Sequence, residues 1–380
     1  MFSDPFEMKF WDGSEEKHGD GEAKFKIIFN EEIPKSDITN DPSMALGEGY
    51  MTKKLDIEGS VQSVIESLYN NKESFLKNSE KYKKLIKKIK SNIKVSKDNI
   101  EFHYDIGNDF YKLWLDETMT YSCGYFKHDT DSLNQAQKNK IEHTLKKLNL
   151  KQGQTLLDIG CGWGELIISA AKQYKVKALG VTLSSEQLEK VNARIKLEGL
   201  EDLVEVKLLD YRELRDISFD RIVSIGMLEH VGKENLMEYF QIVNNLLNDK
   251  GVSLVHSITG VNRGGTNTWI DKYIFPGGYV PAIKEIITDI AELDFELIDV
   301  ESLRRHYGRT LEAWIQNFEK NISQIEKIKD ETFIRMWRLY LNACAASFNC
   351  GNINIHQIVI AKGVNNDLPW TRDYIYKENI

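Results

Sequence analysis

Residues 156–166 read LLDIGCGWGEL: a short apolar run ends in Asp158, and Gly160, Gly162 and Gly164 then alternate with Cys161 and Trp163. A strand that enters a glycine turn before a helix presents backbone N–H groups and a strand-end acid to one ligand. Three ligand classes compete for such a turn. A P-loop needs G-x-x-x-x-G-K-[ST], and no lysine follows at that spacing. A dinucleotide turn needs G-x-G-x-x-G, but Glu165 stands where the third glycine belongs, and a carboxylate there repels a pyrophosphate. The class that remains is S-adenosylmethionine, which carries a sulfonium, an amine and a carboxylate but no phosphate.

The residues suit that ligand. Asp158, at the strand end, pairs with an amine, and Gly160 and Gly162 admit close backbone approach because they lack Cβ. Asp210 closes a later apolar run, LLDY, where it can accept from an adenine amino group. The intervening strand runs into GVTLSSEQ instead of ending in the acid that commonly binds ribose hydroxyls, so Thr182 and Gln187 must substitute neutral hydrogen bonds. For the glycine turn alone, a strand–helix connection without a ligand is the plain alternative. Acids at the ends of the first and third strands favour a methyltransferase.

These residues need a scaffold that brings strand ends together. Seven segments read as strands: 155–160, 177–183, 204–210, 220–226, 251–258, 295–302 and 354–363. Helical stretches separate most of them, including AQKNKIEHTLKKLNL before the first and SSEQLEKVNARIKLEGL between the second and third. Alternating strands and helices predict an α/β fold with a mostly parallel sheet covered on both faces, and ligands beyond the carboxyl ends of its strands. Upstream, residues 1 to about 75 read as a small mixed module, with FKIIF (25–29) a strand and DIEGSVQSVIESLYN, from Asp56, at helical spacing. Between them, Lys81 to Lys97 holds eight lysines and no acid, and Tyr82, Ile86, Ile89 and Ile93 fall on one helical face. That pattern fits a cationic helix on anionic lipid headgroups or a linker helix docked by its apolar stripe.

Composition narrows the classes. Of 380 residues, 50 are Lys or Arg and 58 are Asp or Glu, a net charge of −8 that argues against general nucleic-acid binding. Four cysteines, without a CxxC pair or a histidine cluster, predict reduced thiols and no metal site. No secretory signal pattern opens the sequence, and no apolar stretch reaches the roughly 18–20 residues that span a bilayer, so a cytoplasmic protein with peripheral membrane contact is expected.

Further motifs sharpen the reading: HYDIGNDFYKLWLDETMTYSCGYF (103–126), SIGMLEHVG (224–232), KYIFPGGYVP (272–281), HYGRTLEAWIQNF (306–318) and RMWRLYLNACAASF (335–348). With the glycine turn, they closely resemble the cyclopropane fatty acid synthases, S-adenosylmethionine enzymes that act on unsaturated acyl chains. The resemblance covers residues 97–363, and FWDG, FKIIF and ALGEGYM extend it into the N-terminal module, as in the longer, phospholipid-acting bacterial members.

The resemblance implies a seven-stranded Rossmann-like methyltransferase domain (97–380) behind a smaller N-terminal module with its basic linker helix (1–96). That module would serve lipid binding or homodimerisation. Cofactor contacts implied are Tyr121, Ser122, Asp158, Gly160, Cys161, Gly162, Trp163, Gly164, Thr182, Leu183, Gln187, Asp210, Tyr211 and Arg212. Family members hold bicarbonate beside the methyl group, and its ligands match Cys123, Glu229, His256, Ile258 and Tyr307, with Cys123 and Ile258 acting through backbone groups. Cys344 matches a cysteine with an assigned active-site role, although on sequence alone it reads as a packed thiol. The implied reaction adds a methylene across a cis double bond of membrane phospholipid acyl chains at the inner membrane face, with bicarbonate as base. Alternatives are a methyl- or methylene-transferase on another acyl or small substrate, and a lipid-binding protein without catalysis.

Overall fold

The computed structural model describes residues 2–71, 106–261 and 264–377. The lysine-rich stretch 81–97 and the opening of the HYDIGNDFY motif lie outside the described residues. Two compact units emerge from the packing. One contains residues 2–71, 264–276 and 307–353; the other contains 106–261, 277–306 and 354–377. Packing therefore divides the chain differently from a linear boundary at 96/97, because 264–276 and 307–353 cluster with the N-terminal residues.

The first unit carries a four-stranded sheet in the order β2-β1-β3-β4, formed by β1 (Phe6–Lys9), β2 (Glu15–His18), β3 (Lys26–Phe29) and β4 (Leu55–Glu58). The helix expected from Asp56 starts later, at Val61. Residues 55–58 pair antiparallel with β3 instead, and Gly59, at φ +106°, turns the chain between strand and helix. Phe6, Phe25, Ile27, Tyr50 and Leu55 form the core. On the helix Glu331–Asn349, the buried Arg335 guanidinium donates to the carbonyls of Tyr50 and Leu55 and lies 4.0 Å from the Tyr50 ring centroid, so its charge is solvated by backbone oxygen and an aromatic face.

The second unit is built on a seven-stranded sheet. Its strands are β5 (Thr155–Ile159), β6 (Lys177–Thr182), β7 (Val204–Leu208), β8 (Phe219–Ile225), β9 (Leu247–Gly260), β12 (Phe295–Ser302) and β13 (Ile353–Lys362). The numbers β10 (Gly264–Gly265) and β11 (Tyr279–Val280) belong to two short strands outside it. The order is β12-β13-β9-β8-β5-β6-β7, with β9-β8-β5-β6-β7 parallel and β12 antiparallel to β13. This is the seven-stranded S-adenosylmethionine-dependent methyltransferase fold that the resemblance implies, and its mostly parallel α/β sheet is the one the strand pattern predicts. The chain leaves β5 toward β6 on one side and returns to β8 on the other, which opens a crevice at the carboxyl end of β5.

Strand alternation decides which side chains share a face. Leu156, Ala178, Val223, Leu254 and Val359 pack into one core, while Leu157, Leu179, Ile222, Val255 and Ile358 pack into the other. Ile141, Leu145 and Leu148 join the first, so the helix Leu133–Lys147 covers that face. Asp158, two residues beyond Leu156, and His256, two beyond Leu254, therefore project toward the same helix.

Candidate active site

A pocket opens at the carboxyl ends of β5, β6, β7 and β8. Its walls include Tyr121, Ser122, Asp158, Gly160, Cys161, Gly162, Trp163, Thr182, Leu183, Gln187, Asp210 and Tyr211, twelve of the fourteen residues read as cofactor contacts. The glycine turn forms because Gly160 takes φ +80°, a left-handed conformation that redirects the chain from β5 into the helix Glu165–Tyr174. Gly164 does not line the pocket. A Cβ there would meet Val191 at 2.8 Å, so its role is close packing of the helix Ser185–Glu198. Arg212 also stands outside the lining and grips Asp210, donating from Nε to Oδ1 at 2.9 Å and from Nη2 to Oδ2 at 2.7 Å. Ser184 caps the helix Ser185–Glu198 by accepting from Gln187 N, and Thr182 Oγ1 donates to Gln187 Oε1 at 2.6 Å. The neutral pair read in place of a ribose-binding acid is thus a preformed unit on the pocket wall.

Asp158 is 4% exposed and no described side chain or backbone group donates to its carboxylate. Burial pushes it up to about 7, and the nearby Lys140 pulls it back. Lys140 lines the same pocket, is 2% exposed and donates to Ser122 Oγ at 3.1 Å. Burial depresses its ammonium to about 8 against the opposing pull of Asp116, Asp158 and other acids. His230, on the same wall, is driven to about 4 by burial and is neutral.

A second polar group sits at the ends of β8 and β9. Glu229 Oε1 accepts from Ile258 N at 2.5 Å, whereas Oε2 is buried without a partner among the described residues. Burial pushes this carboxyl up to about 7 against the lowering effect of its hydrogen bonds, that from Ile258 N foremost. His256 lies two residues before Ile258, and Gly226 N donates to its carbonyl at 2.9 Å, tying β9 to the end of β8. Burial holds the His256 imidazole far below its usual range, so it is neutral. Thr144 Oγ1 donates to Lys140 O at 2.8 Å and so must accept from Gln357 Nε2 at 3.3 Å. With the Gln357 amide so oriented, its nitrogen also faces His256 Nδ1 at 3.3 Å, an arrangement in which Nδ1 accepts and the imidazole proton sits on Nε2. His256 Nε2 is buried without a partner among the described residues.

The other members of the expected set are placed as follows. Cys123 is fully buried with Sγ 3.2 Å from Gly124 O, and Ile258 N is occupied by Glu229, leaving its carbonyl to accept from Ser257 Oγ. Tyr307 and Cys344 belong to the first compact unit. There the Tyr307 ring packs 4.6 Å from Phe348, and burial pushes the Cys344 thiol up to about 12, which keeps it protonated.

Sequence reading missed the helix face that organises both polar groups. Gln137, Lys140, Thr144 and Lys147 recur at spacings of three and four, and all four are at most 2% exposed. Gln137 Nε2 donates to Ser122 O at 2.8 Å, Lys140 reaches Ser122 Oγ, Thr144 orients Gln357, and Lys147 pairs with Glu301 at 2.6 Å. The signal was available as a polar stripe at core spacing, but such a stripe ordinarily marks a solvated face.

A family model described as mycolic acid cyclopropane synthetase matches residues 91–358. The chain belongs to this family. Within the family it is 38% identical to a probable fatty acid methyltransferase of Pseudomonas putida, over 98% of this chain and 96% of that protein. It is 43% identical to the cyclopropane-fatty-acyl-phospholipid synthase of Escherichia coli K12, over 71% of this chain and 69% of that one. The solved cyclopropane synthase MmaA2 of Mycobacterium tuberculosis superposes with a TM-score of 0.67 at 35% identity, covering 70% of this chain and 98% of the other. Mycolic acid cyclopropane synthase CmaA1, solved with SAH and CTAB, gives the same TM-score and coverage at 35% identity. Residues 1–80 match a separate domain model of unknown function. The chain is an enzyme of the S-adenosylmethionine-dependent methyltransferase class. Among the described residues, no helix is long and apolar enough to cross a membrane.

Proposed function

We propose that this enzyme adds a methylene group from S-adenosylmethionine across the cis double bond of unsaturated phospholipid acyl chains, closing a cyclopropane ring with bicarbonate as base. The names of the Escherichia coli and mycobacterial relatives support the reaction class. The observation that carries the base assignment is the pair of unpartnered buried atoms, Glu229 Oε2 and His256 Nε2. One is an acceptor and the other, by the Gln357 network, a donor. Bicarbonate offers both an O–H and anionic oxygens, so the two atoms match it in kind.

S-adenosylmethionine, when bound, supplies a sulfonium methyl electrophilic enough for an isolated alkene, and bicarbonate supplies the base that takes the proton released on ring closure. The pocket residues hold the cofactor: Asp158 faces its amine, while Thr182 and Gln187 offer neutral hydrogen bonds to its ribose. His256 Nε2–H donates to an anion while remaining neutral itself. Glu229, whose carboxyl burial pushes up to about 7, accepts the anion's O–H when ionised and is the proton's next resting place. Burial of these groups excludes water that would otherwise trap positive charge on the acyl chain. The resemblance alone assigns Tyr307 a donor role and the backbones of Cys123 and Ile258 the remaining contacts. Cys344, a protonated thiol, contributes packing and no nucleophile.

The N-terminal module, with the 81–97 lysine run, serves peripheral contact with anionic lipid at the inner membrane face and homodimerisation. The lysine-rich composition supports the first role, and resemblance to the longer family members supports the second. The reaction is tested by mass spectrometry and proton spectra of acyl chains after incubation with S-adenosylmethionine, bicarbonate and vesicles of cis-monounsaturated phospholipid. A gain of CH2 with cyclopropane resonances is expected. A gain without the ring, or no gain with the cofactor still bound, would replace this reading with a methylase or another acceptor.

A further inference from the structure

We propose that Lys140 and Asp158 form a receptor for an α-amino-acid zwitterion, with Lys140 pairing the carboxylate and Asp158 the ammonium of the cofactor's methionyl tail. The inference rests on the S-adenosylmethionine reading above and assigns a residue that the sequence reading left out. Both side chains line the one pocket and are at least nine-tenths buried. Their ionised forms are opposite in sign, yet among the described residues neither forms an ion pair, with the other or elsewhere, although each lies in the other's field. Two buried opposite charges that do not neutralise one another are costly unless a ligand supplies the missing partners.

The other acids around Lys140 are already engaged. Asp116 accepts from Thr118 N at 2.9 Å, from Thr118 Oγ1 and from Thr120 N at 2.8 Å. Glu165 is paired with Arg194 at 2.6 Å. The Lys140 ammonium has three donors, and among the described residues only the one to Ser122 Oγ is used. Asp158 uses none of its acceptor sites on donors of the described residues. A free ammonium and a free carboxylate, held apart on one wall, complement a ligand whose own carboxylate and ammonium are attached to a single carbon. Burial acts on both groups toward their neutral forms, and a zwitterion restores their charges together.

The test is calorimetric binding of three probes to the full chain: S-adenosylhomocysteine, its decarboxylated analogue that keeps the amine, and 5′-methylthioadenosine, which has neither charge. Wild type is expected to bind S-adenosylhomocysteine roughly tenfold to a hundredfold more tightly than the decarboxylated analogue, the range of one charge-assisted contact. Lys140→Met removes that preference while leaving methylthioadenosine affinity within about twofold. Asp158→Asn weakens both amine-bearing probes and spares methylthioadenosine. Equal loss of all three probes in Lys140→Met would make Lys140 a support for the pocket wall and overturn the proposal. So would a wild type indifferent to the carboxylate, a comparison that needs no variant to fold. Wild type binding none of the three would remove the cofactor reading itself, a distinct failure.

Discussion

At the carboxyl end of β5, Asp158 and Lys140 are buried but line an open pocket, and each offers charge to whatever enters. At the ends of β8 and β9, Glu229 and His256 present buried atoms with no partner, and burial presses both toward neutrality. The two regions share a sheet face and a covering helix, yet one is suited to holding a charged ligand and the other to moving a proton. What separates them is partner supply. Lys140 and Asp158 each lie in the other's field, which opposes the effect of burial on both, whereas Glu229 has hydrogen bonds but no cation among the influences on it.

If that division is real, substitutions in the two regions must have separable effects. Glu229→Gln should lower turnover by about 10²- to 10⁴-fold, the usual worth of a positioned acid–base group, with S-adenosylhomocysteine affinity unchanged in calorimetry. Wild-type turnover would break the assignment of chemistry to β8 and β9. Asp158→Ala should do the reverse, weakening cofactor binding roughly ten- to a hundredfold; unchanged affinity would break the assignment of binding to β5. Gln357→Leu keeps the volume of the side chain but removes the donor to His256 Nδ1. Turnover should fall about tenfold or more at unaltered cofactor affinity, as for other groups that orient a histidine. Imidazole nitrogen shifts of His256 should then report a change of tautomer, which a merely packing role would not produce.

Two pH effects sharpen the contrast. A Glu229 that must be ionised to receive a proton makes kcat fall as pH drops through about 7, and Glu229→Gln should abolish that acid limb in its residual activity. The same group imposes a stability cost with a defined sign. Its folded value of about 7 exceeds the ordinary 4.5, so between these the folded protein holds a proton that the unfolded chain has released. Stability from this group is therefore lost as pH rises from about 4.5 to 7. Glu229→Gln should raise the melting temperature at pH 8 by roughly two to four degrees and leave it unchanged at pH 4. An equal shift at both pH values would show that the carboxyl is not buried in its charged form.

Much of the α/β framework was legible because it depends on local pattern. Apolar runs at β5, β6 and β8 and the glycines after β5 announce themselves within a few residues, and Asp158 and Asp210 follow from their place at strand ends. Glu229, His256, Ile258, Tyr307 and Cys123 came through family motifs, since nothing local distinguishes a strand-end histidine from a structural one. Lys140 and Gln357 were invisible for a different reason. AQKNKIEHTLKK is amphipathic in a way that reads as an exposed lysine face, and a glutamine within NIHQIVIAKG reads as an interruption. Only docking of the helix Leu133–Lys147 on the Asp158 face of the sheet turns that polar stripe inward. The start of the helix Val61–Asn70 was misplaced because Asp56 and Ile57 suit a strand or a helix, and pairing with β3 decided between them.

By itself, then, the sequence determined the class of fold and the kind of ligand turn, because hydrophobic periodicity and glycine stereochemistry act over a few residues. Tertiary structure decided which charges go unpaired, since burial and partner geometry depend on segments far apart in the chain. Lys140 acquires its neighbours only when Asp158 arrives from β5 and Ser122 from the preceding loop. His256 acquires its tautomer only when β13 brings Gln357 beside it. Proximity between distant segments sets solvation and charge, and solvation and charge set the chemistry.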